Sequence, residues 1–272
     1  MTNEKKILFL DLDGTLLNDE KKITEGNAEA IRRALVEGHK IVINTGRASS
    51  SALRLAGELG LNMEGCYAIT YNGACIYDLA LKKPVYRVAI PMEHARYTMS
   101  LAKELGIHSH TYSEQCVVSE TDNPDLQQYL AYTSMTADIV PDPCDYLAED
   151  PCKVLIVDYK KTGALETYVE RIKDWAPGKV DYFYSCEELL EIVSPGVSKG
   201  NAIRILCKLL DIPLENTVSA GDADNDIPMI TTTKIGVVMK NAAPHMRQYG
   251  NYVTEHDNNH DGIREIIEKF IL

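Results

Sequence analysis

A chain of 272 residues that is 45% hydrophobic can bury a full core, as one large domain or as two smaller ones. Its formal net charge of -12 argues against binding nucleic acid or an anionic membrane surface, so an anionic substrate would need a locally positive pocket. The seven cysteines, at 66, 75, 116, 144, 152, 186 and 207, are odd in number and contain no Cys-x-x-Cys pair, which points away from a disulfide framework or a zinc site. No apolar stretch approaches the length of a membrane span, and Met1-Thr2-Asn3-Glu4-Lys5-Lys6 runs on without a signal-peptide core, so a cytoplasmic location is expected.

The first element is a buried-type strand, Ile7-Leu8-Phe9-Leu10, that exits into Asp11-Leu12-Asp13-Gly14-Thr15-Leu16-Leu17. A strand has a side-chain period of two, so Asp11 and Asp13 project from one side while Leu12 turns into the core. Gly14 lets the backbone turn sharply and approach a ligand. Two acids at the end of a core strand are costly unless a cation or a bound partner compensates them. A helix follows over residues 25 to 37, with Ala28, Ile31 and Leu35 on one face, Thr24 as N-cap and Gly38 as stop. Lys40-Ile41-Val42-Ile43-Asn44 is the next strand; it ends at Thr45-Gly46-Arg47, and a helix over 50 to 59 is closed by Gly60. Asn72, in Tyr71-Asn72-Gly73-Ala74, sits just after a further strand and reads either as a turn residue or as a group facing the pocket.

From about residue 81 to 186 the pattern changes to short strands, at 85 to 90, 115 to 119, 154 to 157 and 180 to 184, around two or three helices. His108 and His110 alternate in a strand, where they read equally as substrate contacts or as exposed polar residues of an edge, and Lys153 precedes another strand. The core alternation then returns: a helix over 198 to 210, strands at 217 to 220 and 235 to 238, and an amphipathic helix over 261 to 270. The fold class is therefore α/β, a doubly wound parallel sheet built from 1–81 and 188–272, with an α+β insert at 82–187. Three polar clusters fall at the carboxyl ends of core strands, where open parallel sheets bind their ligands: 11 to 15, 45 to 47, and Gly221-Asp222-Ala223-Asp224-Asn225-Asp226. Lys199 adds a cation at a helix start, within Ser194-Pro195-Gly196-Val197-Ser198-Lys199-Gly200. Neither acidic run is an EF-hand loop, since positions six and twelve are Leu16 and Lys22 in one and Ile227 and Thr233 in the other.

In these four segments, taken in order, the chain resembles the haloacid dehalogenase-like hydrolases, and within them the Cof-type phosphatases that carry a large α/β cap. Asp11-Leu12-Asp13-Gly14-Thr15 matches the first motif, Thr45-Gly46-Arg47 the second, Lys199 the third and Gly221 to Asp226 the fourth; Met239-Lys240-Asn241-Ala242 and Asp261-Gly262 resemble segments that usually follow. The resemblance implies a magnesium-dependent phosphatase acting on a small phosphorylated metabolite, such as a sugar phosphate or pyridoxal phosphate, through an aspartyl-phosphate. It implies Asp11 as nucleophile and Asp13 as general acid and base. It implies Mg2+ held by Asp11, the Asp13 carbonyl and Asp222, and phosphoryl oxygens held by Lys199, Thr45 and Asn225 with the Leu12 and Gly46 amides. Asp226 would orient Lys199 or metal-bound water, and the inserted cap would select the substrate. Asp224 falls where the family varies. A phosphomutase of the same superfamily would keep all four motifs, and a phospho-aspartate regulator is a rival from another class, opposed by the presence of Asp13.

Overall fold

The computed structural model describes residues 4–272, so residues 1–3, at the head of the segment read for targeting, lie outside it. Two compact units emerge: one comprises the chain up to Arg47, Ala52–Tyr86 and Ser198–Leu272, and the other Arg87–Val197 with Ala48–Ser51. Among the described residues no helix is long and apolar enough to cross a membrane.

The first unit holds an eight-stranded sheet made of β1 (Ile7–Leu10), β2 (Lys40–Asn44), β3 (Cys66–Thr70), β4 (Cys75–Asp78), β5 (Lys83–Arg87), β12 (Thr217–Gly221), β13 (Ile235–Val238) and β14 (Tyr252–Val253), in the order β14-β13-β12-β1-β2-β3-β4-β5. From β14 to β3 all pairs are parallel, and β3 to β4 is antiparallel. β1 is flanked on both sides, and its four side chains are fully buried, as a central parallel strand requires. Alternation sends Leu8 and Leu10 into one apolar layer, with Ala30 and Ile31 of the helix Glu25–Val36 and Ile263 and Ile266 near the carboxyl terminus. Ile7 and Phe9 join the opposite layer, with Ile203 and Leu206 of the helix Lys199–Leu209. Helices on both faces make the sheet doubly wound.

Local signals act as the residue types suggest. Thr24 caps its helix by accepting from the Asn27 amide at 3.4 Å, and Gly38 follows the helix with a φ of +85°. The buried face is Asn27, Ala30, Ile31 and Ala34, rotated from the expected stripe so that Ala28 and Leu35 are only half-buried. The last helix is regular over Gly262–Ile266 and then widens into a π-turn over Ile267–Ile271, with the Leu272 amide on the Ile267 carbonyl at 3.0 Å.

The second unit holds a six-stranded sheet, β6 (His108–Tyr112), β7 (Val117–Ser119), β8 (Ala137–Ile139), β9 (Lys153–Val157), β10 (Asp181–Cys186) and β11 (Leu189–Val193), in the order β10-β11-β9-β6-β7-β8. One face sends Val154, Ile156, Leu190 and Ile192 against the helices Met92–Glu104 and Ala164–Ile172. The edges of the insert differ from the sequence boundaries of 82 and 187. β5 completes the eight-stranded sheet, whereas β11 pairs antiparallel with both β10 and β9, so the chain leaves the second unit only at Val197. β6 lies between β9 and β7, and His108 and His110 are buried, which corrects the reading of them as exposed residues of an edge strand.

Candidate active site

The site is assembled at the carboxyl ends of β1, β2 and β12. The Asp11 amide donates to the Ala220 carbonyl at 3.1 Å, the last step of the β1–β12 ladder, so the Asp11 carboxylate emerges where the strand stops. The chain then folds back on itself, with the Leu16 amide on the Asp11 carbonyl at 3.2 Å and the Leu17 amide on the Leu12 carbonyl at 2.8 Å. Leu12 is buried in the core, as the strand period predicts. Gly14 has a φ of +79°, and a Cβ there would fall 2.4 Å from Asp222 Oδ2, so conformation and space both demand glycine. Thr15 Oγ1 donates to Asp222 Oδ1 at 2.7 Å and ties the first motif to the fourth.

Lys199 opens its helix behind the cap residue Ser198, whose hydroxyl accepts from the Asn201 amide at 3.1 Å. Its ammonium reaches Asp11 Oδ1 at 2.5 Å and Asp226 Oδ1 at 2.6 Å, with no side-chain exposure. Asp226 Oδ2 accepts from the amides of Asp222 at 3.0 Å and Ala223 at 3.1 Å, so both its oxygens are committed. Asn44, at the end of β2, donates to the Lys199 carbonyl at 3.2 Å and fixes where that helix begins.

Two carboxylates contact one ammonium and a third stands beside them: carboxylate oxygens of Asp11, Asp222 and Asp226 lie within 4.8 Å of one another. Burial pushes the Asp11 carboxyl well above the ordinary range, Lys199 opposes it, and Asp226 and Asp222 push it further up. Asp222 is pushed up to about 6, by burial first and by Asp226 as well, against the hydrogen bond from Thr15. Burial disfavours the Lys199 ammonium, but Asp11 and Asp226 outweigh it and hold the group protonated. An all-oxygen donor set with unneutralised negative charge fits a hard divalent cation such as Mg2+.

Asp13 forms a second arm. Arg47 grips it as a fork, Nε to Oδ2 and a terminal nitrogen to Oδ1, both at 2.8 Å, and Lys21 adds a contact to Oδ1 at 2.7 Å. Burial alone would raise this carboxyl; the Arg47 fork and then Lys21 outweigh it and hold it low. Thr45 is buried beside this arm, its hydroxyl accepting from the Arg47 amide at 3.2 Å. Asn225 is half-buried in the loop that carries Asp222 and Asp226. Asp224 departs from the cluster: its Oδ1 lies 2.5 Å from His245 Nε2, and both side chains are more than half exposed.

Sequence reading thus found the acids and Lys199 but gave no role to Thr15, Lys21, Asn44 or Arg47. Thr15 and Arg47 were inside the quoted motifs, where residue type alone announced a hydroxyl and a fork-shaped cation. Nothing in the letters singles out Lys21, eight residues beyond the acid it meets.

The family model for haloacid dehalogenase-like hydrolases matches residues 8–267. The chain belongs to this family. Among curated relatives of the hydrolase, the protein YxeH of Bacillus subtilis strain 168 is 32% identical over 98% of each chain. YcsE of the same organism, named as a 5-amino-6-(5-phospho-D-ribitylamino)uracil phosphatase, is 28% identical over 98% of this chain and 96% of its own length. A solved haloacid dehalogenase-like hydrolase from Bacteroides thetaiotaomicron has the same fold, with a TM-score of 0.90 and 29% identity, covering 98% of this chain and 99% of that one.

Proposed function

We propose that this hydrolase removes the phosphoryl group from small phosphorylated metabolites of the sugar-phosphate type, with Asp11 as nucleophile and Mg2+ as cofactor. As a member of its family it is a phosphoric monoester hydrolase. The observation that carries the finer reading is the buried Asp11 carboxylate, ion-paired to Lys199 and crowded by Asp222 and Asp226. A carboxylate placed at that cost suits nucleophilic attack on phosphorus.

Asp11 attacks the phosphorus, the ester P–O bond breaks with its electron pair going to the leaving oxygen, and Asp13, which must first take up a proton from solvent against the pull of Arg47 and Lys21, passes it to that oxygen. Water then attacks the same phosphorus, Asp13 takes its proton, and the bond to Asp11 breaks to release inorganic phosphate. Lys199, Thr45, Asn225 and the Leu12 and Gly46 amides hold the phosphoryl oxygens. Asp11, the Asp13 carbonyl and Asp222 would hold the metal, which would neutralise charge between nucleophile and substrate. Asp226, with both oxygens engaged, positions Lys199 instead of binding metal. Leaving-group selection we assign to the insert, because the four motifs lie outside it; the phosphorylated ribityl compound of YcsE is the kind of substrate this reading favours.

The test is phosphate release from p-nitrophenyl phosphate with and without Mg2+. Wild-type protein should depend on the metal, and Asp11→Asn, which keeps shape but removes the attacking charge, should fall to background while its circular dichroism and melting temperature stay native. Substantial turnover by purified Asp11→Asn would exclude Asp11 as nucleophile.

A further inference from the structure

The turn after β3 is more constrained than a hairpin needs. Tyr71, Asn72 and Gly73 all have positive φ, 51°, 56° and 115°. Gly73 tolerates this, and Asn does so better than most residues, but a tyrosine there is strained. The turn is pinned to the Thr45–Gly46–Arg47 segment: the Tyr71 amide donates to the Arg47 carbonyl at 2.9 Å and the Asn72 amide to the Thr45 carbonyl at 3.0 Å. On its other side a Cβ at Gly73 would lie 2.4 Å from the Ser198 carbonyl oxygen, directly before Lys199. Asn72 is therefore wedged between two segments to which phosphate binding was assigned above.

Its side chain is the informative part. Asn72 is 1% exposed, and neither Nδ2 nor Oδ1 has a hydrogen-bond partner in the protein. In an exposed Asn-Gly turn water would satisfy both atoms; buried, each orphaned polar group forfeits its hydration with nothing in return. The carboxamide lies against Gly46, where a Cβ would fall 3.0 Å from each of its two polar atoms. Strain, two unsatisfied atoms and a glycine that leaves room for them coincide at one position beside Thr45.

We propose that the Asn72 carboxamide is a substrate-binding group, its Nδ2 donating to an oxygen of the phosphoryl group held beside Thr45 and Gly46. This rests on the phosphatase reading of the site. Asn44, the neighbouring buried amide, leaves its Oδ1 without a partner but has no free donor, since its Nδ2 is spent on the Lys199 carbonyl and the Met229 sulfur.

The test compares wild-type protein with Asn72→Gly, which keeps the left-handed backbone, and Asn72→Asp, which keeps the shape but repels an anion. With p-nitrophenyl phosphate and Mg2+, loss of a hydrogen bond to a charged group should raise KM and the inhibition constant of inorganic phosphate about tenfold in Asn72→Gly. Asn72→Asp should raise both further, and kcat should move less than KM in either variant. In parallel, the rise in melting temperature given by inorganic phosphate should shrink in both, while the unliganded melting temperature of Asn72→Gly stays at or above wild type. Values of KM and phosphate inhibition within twofold of wild type in both variants would overturn the proposal and leave Asn72 as a turn residue. Absence of phosphate release by wild-type protein would instead overturn the phosphatase reading, and the melting shifts would still decide whether Asn72 binds the anion.

Discussion

The two sheets both bury charge, but they balance it differently. At the end of β1 and β12 three carboxylates cluster, and the single ammonium beside them pairs with only two. On the polar face of the second sheet Lys153 pairs with Glu191 at 2.8 Å, one charge against one, with both side chains nearly inaccessible. Beside that pair runs a chain of neutral donors: Asn123 to His108 Nδ1 at 3.1 Å, His108 to His110 at 3.0 Å, His110 to Tyr112 at 3.2 Å, and the Tyr112 and Tyr129 hydroxyls at 2.7 Å. Asn123 Oδ1 already caps its own helix at the Leu126 amide, so its Nδ2 must donate and His108 Nδ1 must accept. The buried Lys153–Glu191 pair of the second sheet balances its own charge, whereas the acids at the ends of β1 and β12 outnumber the ammonium beside them. That difference separates an element built for specific packing from one built for chemistry.

Removing one partner from each buried pair should break this comparison open, and it carries the largest expected effect. Lys199→Met leaves Asp11 and Asp226 without their cation and should abolish turnover of p-nitrophenyl phosphate by about 10³-fold or more, as loss of an oxyanion-stabilising group does. Lys153→Met should cost about 3–5 kcal/mol of stability, seen as a lower urea midpoint, yet leave the folded enzyme's kcat for this small aryl ester within a few-fold. The double variant Lys153→Met with Glu191→Leu should recover most of that stability, because replacing a whole buried pair with apolar groups is often neutral. Equal loss of aryl phosphate turnover on both sides would mean the second sheet takes part in chemistry.

The metal sharpens the contrast next. Asp222→Ala should raise the Mg2+ concentration for half-maximal activity by at least about tenfold, the scale expected when a coordinating group or its support is lost. Asp224→Ala should leave it within twofold, since Asp224 is engaged with His245 away from the cluster. Calcium should support little turnover, because it favours more ligands and looser geometry than phosphoryl transfer accepts.

Much of this was legible in the letters, and the reason is periodicity plus strand ends. β1, β2, β12 and β13 announce themselves as short apolar runs, and the acids fall where those runs stop. What the letters could not carry were the edges and the long-range pairs. β11 reads as Leu189-Leu190-Glu191-Ile192-Val193, and its assignment to the second sheet depends on Glu191 finding Lys153, 38 positions away on β9. Alternation leaves His108 and His110 open between substrate contacts and exposed edge residues, because alternating polar residues ordinarily mark a solvated face. A chain of hydrogen bonds through Tyr112 and Tyr129 makes their burial affordable, and no local pattern encodes it. Asn72 reads either as a turn or as a pocket residue, because no local pattern shows that its side chain is buried.

Acid and base should act on the two units with opposite sign. Asp222, raised to about 6 from an ordinary 3.8, binds its proton more tightly folded than unfolded. The stability it contributes is full below the ordinary value and is lost as pH rises toward 6, so metal-free protein should weaken over that interval and Mg2+ should restore it at neutral pH. His108, lowered to about 4 from 6.5 by burial, binds its proton more weakly folded, and burial moves His110 in the same direction. Their contribution is present above 6.5 and lost as pH falls toward 4. Melting temperatures in chelator across pH 4 to 8 should show Asp222→Asn flattening the first slope and His110→Gln the second; one slope surviving both substitutions would place its origin elsewhere.

The smallest expected effect lies in the arm formed by Asp13 and Arg47. Arg47 holds Asp13 by a two-point fork and keeps its carboxyl low, so it sets both the direction in which Asp13 points and how strong an acid it is. Arg47→Lys retains the charge but replaces the planar fork with a single point contact, which is not a conservative exchange at such a site. A leaving group that departs as a stable phenolate needs little help from a proton donor, whereas an alkyl or sugar oxygen needs it in the transition state. The substitution should therefore lower kcat for a sugar phosphate by about tenfold while lowering that for p-nitrophenyl phosphate by about threefold or less, within the range that general acid catalysis supplies. Equal losses on both substrates would show that Arg47 serves the phosphoryl group and not the proton on Asp13.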